Sequence, residues 1–129
     1  MGTVFTDNGK REGGYIISES AGATGGMRSR DEVVLLAGTV GLSGMVLGQV
    51  TASGKYKPLD TAASDGSQSA AAILFSSKDA SAADKRVVVT ARESEVNDAE
   101  LVWPAGISGP NKTAAIAALK AKGIIVRTK

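Results

Sequence analysis

The apolar residues of this chain come in short runs separated by polar and glycine-rich stretches, and this pattern predicts strands. Residues 86–92 hold three consecutive valines, which favour a strand because β-branched side chains suit a pleated surface. Short strands are also predicted at residues 15–18, 33–36 and 70–75. Residues 76–84 are polar and predict a connection between two of these strands.

Glycines are frequent in the middle of the chain. Their density in residues 38–48 opposes a helix and favours bent strands or the corner of a barrel. Two apolar runs, residues 45–51 and 56–59, flank a short polar turn and predict a hairpin with Gly54 at a positive φ angle. Residues 60–69 predict a polar loop that turns at an Asp-Gly pair.

One helix is predicted, near the end of the chain. Pro110 suits a first helical position, residues 111–122 are alanine-rich, and Gly123 supplies a stop. Residues 124–126 then return as a strand. The expected fold is mostly β (a β-rich α+β class): a small single domain of short strands with one C-terminal helix.

The first residues carry too little apolar surface to fold by themselves. Residues 1–14 hold Val4 and Phe5 among polar residues and glycines, so burial would not offset the entropy lost on ordering. We therefore predict a flexible N-terminal arm at residues 1–14 and a β-rich domain at residues 15–129.

Composition excludes several chemistries. The chain has 129 residues, enough for one domain, and it contains no cysteine and no histidine. Disulfides, thiolate nucleophiles, cysteine-ligated metals and a Ser-His-Asp triad are therefore excluded. We predict that the protein is not an enzyme and needs no cofactor or metal.

The net charge and the hydropathy of the chain indicate which kinds of partner it can bind. The net charge of +2 is too small to indicate nucleic acid, although residues 102–129 carry five basic residues and no acidic one. No apolar run approaches the length of a membrane span, and the N-terminus lacks the pattern of a signal peptide. We expect a protein made in the cytosol that binds neither nucleic acid nor membrane.

Three local motifs have both a functional and a structural interpretation. Gly54 and Lys55 lack the remaining residues of a phosphate-binding loop, so a turn is the better interpretation. The acidic residues of segment 93–100 could hold a hard cation, but a solvated strand end is favoured because no second cluster supplies further ligands. Trp103, followed by Pro104, is predicted to anchor the core or a subunit interface.

The order of several segments resembles the lambda-type bacteriophage head decoration proteins. The resemblance covers residues 33–127, whereas the first 32 residues depart from the lambda protein. It rests on GMVLGQV (44–50), SGKY (53–56), DGSQ (65–68), AAIL (71–74), RVVV (86–89), RESEVN (92–97), LVWPAG (101–106) and GIIVR (123–127).

The resemblance implies a capsid decoration protein. Such a protein would sit as a homotrimer at three-fold sites on the outer surface of the expanded phage head, bind the major capsid protein, and stabilise the head against internal DNA pressure. Family arms order on the capsid by adding a strand, a role that an adaptable segment with a few apolar anchors suits. The predicted capsid-binding residues are Val4, Phe5, Tyr15 and Ile16, and the predicted trimer or core anchors are Trp103 and Pro104.

A different class of function remains as the alternative: a trimeric, β-rich phage or surface module that recognises carbohydrate. Sugar sites usually present exposed aromatic side chains beside carboxylates. The five aromatic residues of this chain are scattered along the sequence and predict no such patch.

Overall fold

Ten strands, one α-helix and one turn of 3₁₀ helix form the structure, a computed structural model that describes residues 12–20 and 29–128. The fold is thus mostly β with one C-terminal helix, as predicted. The predicted arm lies outside the described residues up to position 11. In chain order the elements are β1 (Ile16–Glu19), β2 (Arg30–Leu35), β3 (Thr39–Gly41), β4 (Val46–Gln49), β5 (Tyr56–Pro58), β6 (Ala70–Leu74), β7 (Lys78–Ala80), β8 (Lys85–Thr90), β9 (Ser94–Asn97), the 3₁₀ turn (Asp98–Glu100), α1 (Gly109–Ala121) and β10 (Ile124–Arg127).

Five strands close into a small barrel in the order β2-β5-β4-β6-β8. The longest pairing is antiparallel, between β2 and β8, and a parallel contact of β2 with β5 at Leu35 and Tyr56 completes the ring. Closure pairs both edges of the sheet, so the barrel leaves no edge strand open. One hydrophobic cluster is made mainly of barrel residues: Leu35, Leu47, Ala72, Leu74, Ala80, Val87 and Val89.

Strands β4 and β6 are buried on both faces. Leu47 and Leu74 belong to the barrel cluster, whereas their neighbours Val46 and Ile73 belong to a second cluster outside it. Successive side chains of a strand point to opposite faces, so each of these strands serves two cores. This explains why their sequences are continuous apolar runs without alternation.

The second core lies between the barrel, helix α1 and a three-stranded sheet of order β1-β9-β10. Strand β9 runs antiparallel to β1 and parallel to β10. Leu119 of the helix and Ile124 of β10 are both fully buried in this cluster. The remaining small sheet is a two-stranded antiparallel ribbon of β3 and β7, which we call the β3–β7 ribbon.

The predicted turns are confirmed. Strands β4 and β5 form the hairpin, with Gly54 at a φ of 73°. Gly66 in the following loop has a φ of 107°, and a Cβ atom there would lie 2.3 Å from Thr51 Oγ1. Gly66 therefore combines a left-handed conformation with a close approach that excludes any side chain.

The predicted helix is confirmed, with its start one residue earlier than Pro110. Ser108 caps it by accepting a hydrogen bond from the backbone N–H of Asn111 at 3.2 Å. At the other end Gly123 adopts a φ of 88°, which ends the helix and turns the chain into β10. Within the described ranges, no helix is long and apolar enough to cross a membrane.

Two strands appear where the sequence predicted none. Strand β7 lies within residues 76–84, which were predicted to be a polar connection, and β9 lies within the acidic segment 93–100. Both strands are short and polar on one face, so the hydrophobic pattern of their residues gives little indication of a strand. Each is fixed by pairing with strands that are distant in the sequence.

Candidate functional site

Tyr15 lies in the core of the domain. Its side chain is only 2% exposed, and its hydroxyl is 2.6 Å from the hydroxyl of Thr90 in β8. Burial raises the pKa of the Tyr15 hydroxyl well above its usual range, so the group stays neutral. Tyr15 therefore packs inside the described domain, and the capsid contact of Tyr15 stays a prediction.

Gly13, two residues before Tyr15, contacts Phe75, the residue that follows β6. The N–H of Gly13 donates to the carbonyl of Phe75 at 3.0 Å, and the Ser43 hydroxyl donates to the same carbonyl at 2.7 Å. Gly13 has a φ of 69°, and a Cβ atom there would lie 2.7 Å from the Phe75 ring. Ile16 is half-buried against the second core. Residues 12–16 thus belong to the domain.

Glu19 of β1 binds Ser29 and Arg30 at the start of β2, and we call these three residues the polar clamp. The Glu19 carboxylate accepts hydrogen bonds from the Ser29 hydroxyl and from the Arg30 guanidinium, each at 2.5 Å. The guanidinium also stacks over the Phe75 ring, 3.9 Å from its centre. Burial alone would raise the pKa of Glu19, but these hydrogen bonds and the Arg30 charge outweigh burial, and the pKa lies below its usual value.

This clamp predicts an acid-sensitive contribution to stability. A carboxylate whose pKa is lowered by folding stabilises the native state above its unfolded pKa of about 4.5, and the contribution is lost as the pH falls through the lower folded value. We therefore expect Glu19→Gln to lower the melting temperature at pH 7. The difference from wild type should shrink steadily between pH 5 and pH 3. Thermal unfolding followed by circular dichroism measures both quantities. An equal difference at pH 7 and pH 3 would show that the charge of Glu19 is not what stabilises the clamp.

The acidic residues of segment 93–100 are used in separate contacts. Glu95 accepts hydrogen bonds from Ser18 and Arg127, which lower its pKa. Asp98 accepts a hydrogen bond from the indole N–H of Trp103. Among the described residues, no group of acidic side chains is arranged to hold a metal ion.

Trp103 is half-buried at the margin of the second core. Its Nε1 donates to Asp98 at 2.9 Å, and the ammonium of Lys112 lies 3.1 Å from the same carboxylate. That ammonium is also 5.3 Å from the centre of the Trp103 ring. The three side chains join the 3₁₀ turn, helix α1 and the loop between them. Pro104 follows Trp103 through a trans peptide bond and is likewise half-buried.

Two open grooves meet beside Trp103. The larger, of about 580 Å³, is lined by residues 36–40, 45 and 57–60, and the smaller, of about 200 Å³, by residues 45–46, 58–59 and 102–105. Met45, Pro58 and Leu59 form the ridge that the grooves share. We call this continuous surface the groove face.

Val40 stands on the rim of the groove face and was not singled out by the sequence. It is 60% exposed, the larger of the two exposed fractions among large apolar residues in the described ranges. Its only sequence signal is an apolar residue isolated between Thr39 and Gly41 in a glycine-rich stretch. The other predicted binding residues, Val4 and Phe5, lie outside the described residues.

A comparison with known families gives a match. A model of the family described as bacteriophage lambda head decoration protein D matches residues 6–124. This range includes every strand of the barrel and the whole of α1. A search of curated proteins finds no match. Because the family match covers nearly all of the chain, the protein belongs to the bacteriophage lambda head decoration protein D family.

Proposed function

We propose that this protein is a homotrimer that binds the outer surface of the expanded phage head at three-fold sites and stabilises the shell against the pressure of packaged DNA. The observation that carries the proposal is the family match over residues 6–124. Its partner would be the major capsid protein. The protein would be synthesised in the host cytoplasm and end in the virion.

The chemistry of the described surface suits a structural role. Many of its charged side chains form ion pairs with each other, such as Lys55 with Asp84 and Arg92 with Asp31. The barrel has no open edge, so the domain can act as a rigid body that holds its neighbours at fixed distances. Three weak contacts held in one trimer bind with an avidity that exceeds a single contact by about 10²–10⁴-fold.

We propose that residues 1–11 supply one of these contacts. Fully extended, eleven residues span at most roughly 36–40 Å, which is enough to reach from the domain onto a neighbouring capsid subunit. Val4 and Phe5 would fill apolar sites while the backbone adds a strand to a capsid sheet. The contact of Gly13 with Phe75 fixes the point at which such an arm leaves the domain.

The alternative of a carbohydrate-binding module gains no support from the described residues. Their four aromatic side chains are buried or half-buried, and none stands fully exposed beside a carboxylate: Tyr15, Tyr56, Phe75 and Trp103. A flat sugar ring needs an open aromatic face on which to stack. The capsid is thus the better supported partner.

Co-sedimentation with phage heads tests the proposed function. Purified protein should pellet with expanded heads up to a fixed number of copies per head, and should not pellet with unexpanded heads. Decorated heads should also withstand chelation, heat or osmotic shock that opens bare heads. Absence of binding to expanded heads of the phage that encodes this protein would overturn the proposal.

A further inference from the structure

Phe75 is a half-buried aromatic residue that belongs to neither hydrophobic cluster of the described residues. Its backbone is tied to the barrel, because its N–H donates to the carbonyl of Val88 in β8 at 3.0 Å. Its ring contacts two residues that are distant from it in the sequence, Gly13 and Arg30. The ring therefore links the wall of the barrel to residues 12–16, which we call the arm root.

We propose that Phe75 and Arg30 are positioning residues for the arm: together they hold the arm root, so that residues 1–11 leave every subunit in one fixed direction. The inference rests on the proposed function for the contact of the arm with the head. It adds the side chains that orient the arm, which neither the family match nor the sequence of the arm identifies.

The backbone of Gly13 is held at three points. Its N–H donates to the carbonyl of Phe75 at 3.0 Å, and its own carbonyl accepts from the N–H of Ile16 at 3.0 Å. A Cβ atom on Gly13 would lie 2.7 Å from the Phe75 ring, so the backbone packs directly against the aromatic side chain. With a φ of 69°, Gly13 adopts this conformation without the strain that a larger residue would have. These contacts set the direction of the residues that precede Gly13.

The polar clamp holds Arg30 over the same ring. The Nε and Nη2 atoms of Arg30 donate to the Glu19 carboxylate at 3.2 Å and 2.5 Å, and the guanidinium lies 3.9 Å from the centre of the Phe75 ring. A planar guanidinium that is fixed by two hydrogen bonds and stacked on an aromatic face has little freedom to move. A Phe75 ring that turned away from Gly13 would lose this stacking as well.

An arm root that is ordered before binding should strengthen the contact with the head. Fixing the backbone of one residue costs a factor of about ten in an equilibrium constant. A root that was free in solution would add such a cost when its arm binds, and a trimer would meet the cost at each of its three arms. Loss of the ring contact should therefore weaken binding more than it weakens folding.

The first test compares Phe75→Ala with Tyr56→Ala. Tyr56 is the matched control, since it is another half-buried aromatic residue of the barrel and lies where β2 pairs with β5. Both variants should have a lower melting temperature than wild type. Co-sedimentation well below both melting temperatures should show that Phe75→Ala has lost at least about tenfold in affinity for expanded heads, whereas Tyr56→Ala binds as wild type does.

The outcomes of this test separate the inference from the proposed function. Wild-type affinity in Phe75→Ala would overturn the positioning role and leave the proposed function standing. Failure of the wild-type protein to bind expanded heads would instead overturn the proposed function. An equal loss in both variants would assign the effect to general destabilisation and contradict a specific role of Phe75.

Two glycine variants separate displacement of the arm root from backbone strain. Gly13 and Gly106 have φ angles of 69° and 71°, so alanine meets the same strain at both positions. A Cβ atom at Gly13 would collide with the Phe75 ring, whereas one at Gly106 would stand in open space. We expect Gly13→Ala to lose affinity for heads and Gly106→Ala to retain it. Equal affinities would show that the contact of Gly13 with Phe75 does not orient the arm.

Amide hydrogen exchange tests the arm root in the free protein. The amide of Gly13, which donates to the Phe75 carbonyl, should exchange faster in Phe75→Ala than in wild type. Tyr56→Ala should leave this rate unchanged. An unchanged rate in Phe75→Ala would show that the ring does not hold the arm root.

A combination with a weakened arm shows whether Phe75 acts through the arm. In the full-length chain, Val4→Ala with Phe5→Ala should weaken binding to heads by removing the apolar anchors. Phe75→Ala added to this variant should cause a smaller loss than it causes in the wild-type chain, because the direction of an arm matters less when the arm binds weakly. Equal losses in the two chains would show that Phe75 acts by a route other than the arm and would contradict the inference.

Discussion

Replacing Tyr15 with alanine should lower the free energy of unfolding by about 3–5 kcal/mol, the range for truncating a large buried aromatic side chain. Tyr15 is 2% exposed and packs in the second core, which joins the barrel to the three-stranded sheet. Its removal would leave a cavity where these layers meet. Denaturant unfolding followed by circular dichroism measures the change.

Tyr15→Phe separates the packing of the ring from its hydrogen bond. The ring stays in place, but the buried hydroxyl of Thr90 loses its partner, and the expected cost is about 1–3 kcal/mol. The alanine variant should therefore be clearly less stable than the phenylalanine variant. If both variants unfold at the wild-type denaturant concentration, Tyr15 does not hold the core together.

Features that depend on neighbouring residues were predictable from the sequence. The turn at Gly54 and the helix stop at Gly123 need a positive φ angle, which glycine adopts without strain, and both were predicted at the correct residues. The strands of the barrel were predicted where apolar runs are continuous, as in β6 and β8. These signals are short-range and do not require knowledge of the tertiary fold.

Features that depend on distant partners were not predictable. Strand β9 has an acidic sequence, and it is a strand because it lies between β1 and β10, which come from opposite ends of the chain. Strand β7 pairs with β3 across more than thirty intervening residues. Barrel closure likewise depends on the contact of Leu35 with Tyr56, for which the hydrophobic pattern holds no signal.

The residues of the candidate site also separate into features that neighbouring residues determine and features that distant partners determine. Trp103 was predicted from its residue type to anchor the core or a subunit interface, and that role stays a prediction. It lies half-buried against the second core, and its hydrogen bond to Asp98 depends on the 3₁₀ turn, which residue type does not indicate. Tyr15 was predicted to begin a strand of the domain and to contact the capsid, whereas its hydrogen bond with Thr90 joins residues 75 positions apart in the sequence. A contact between residues so far apart leaves no signal in the local pattern.

Deleting residues 1–11 should abolish most of the binding to phage heads while leaving the domain intact. The deletion keeps Gly13 and its hydrogen bond to Phe75, as well as Tyr15 and Ile16, so the melting temperature should change little. Each trimer would lose all three arm contacts, so the apparent affinity for expanded heads should fall by more than the roughly 10²–10⁴-fold that avidity adds to a single contact. Quantitative co-sedimentation measures the affinity, and sedimentation equilibrium checks the oligomeric state of the truncated protein.

Two full-length variants separate the apolar anchors from the charge of the arm. Val4→Asp with Phe5→Asp adds two negative charges and removes both large apolar side chains, whereas Thr3→Asp with Thr6→Asp adds the same charges and keeps Val4 and Phe5. We expect the first variant to bind as weakly as the deletion, because unpaired carboxylates cannot enter apolar sites without a large desolvation cost. The second should retain most of the affinity. Equal losses in both variants would make electrostatic repulsion the cause, and wild-type binding by the deletion would show that the folded domain alone attaches to the head.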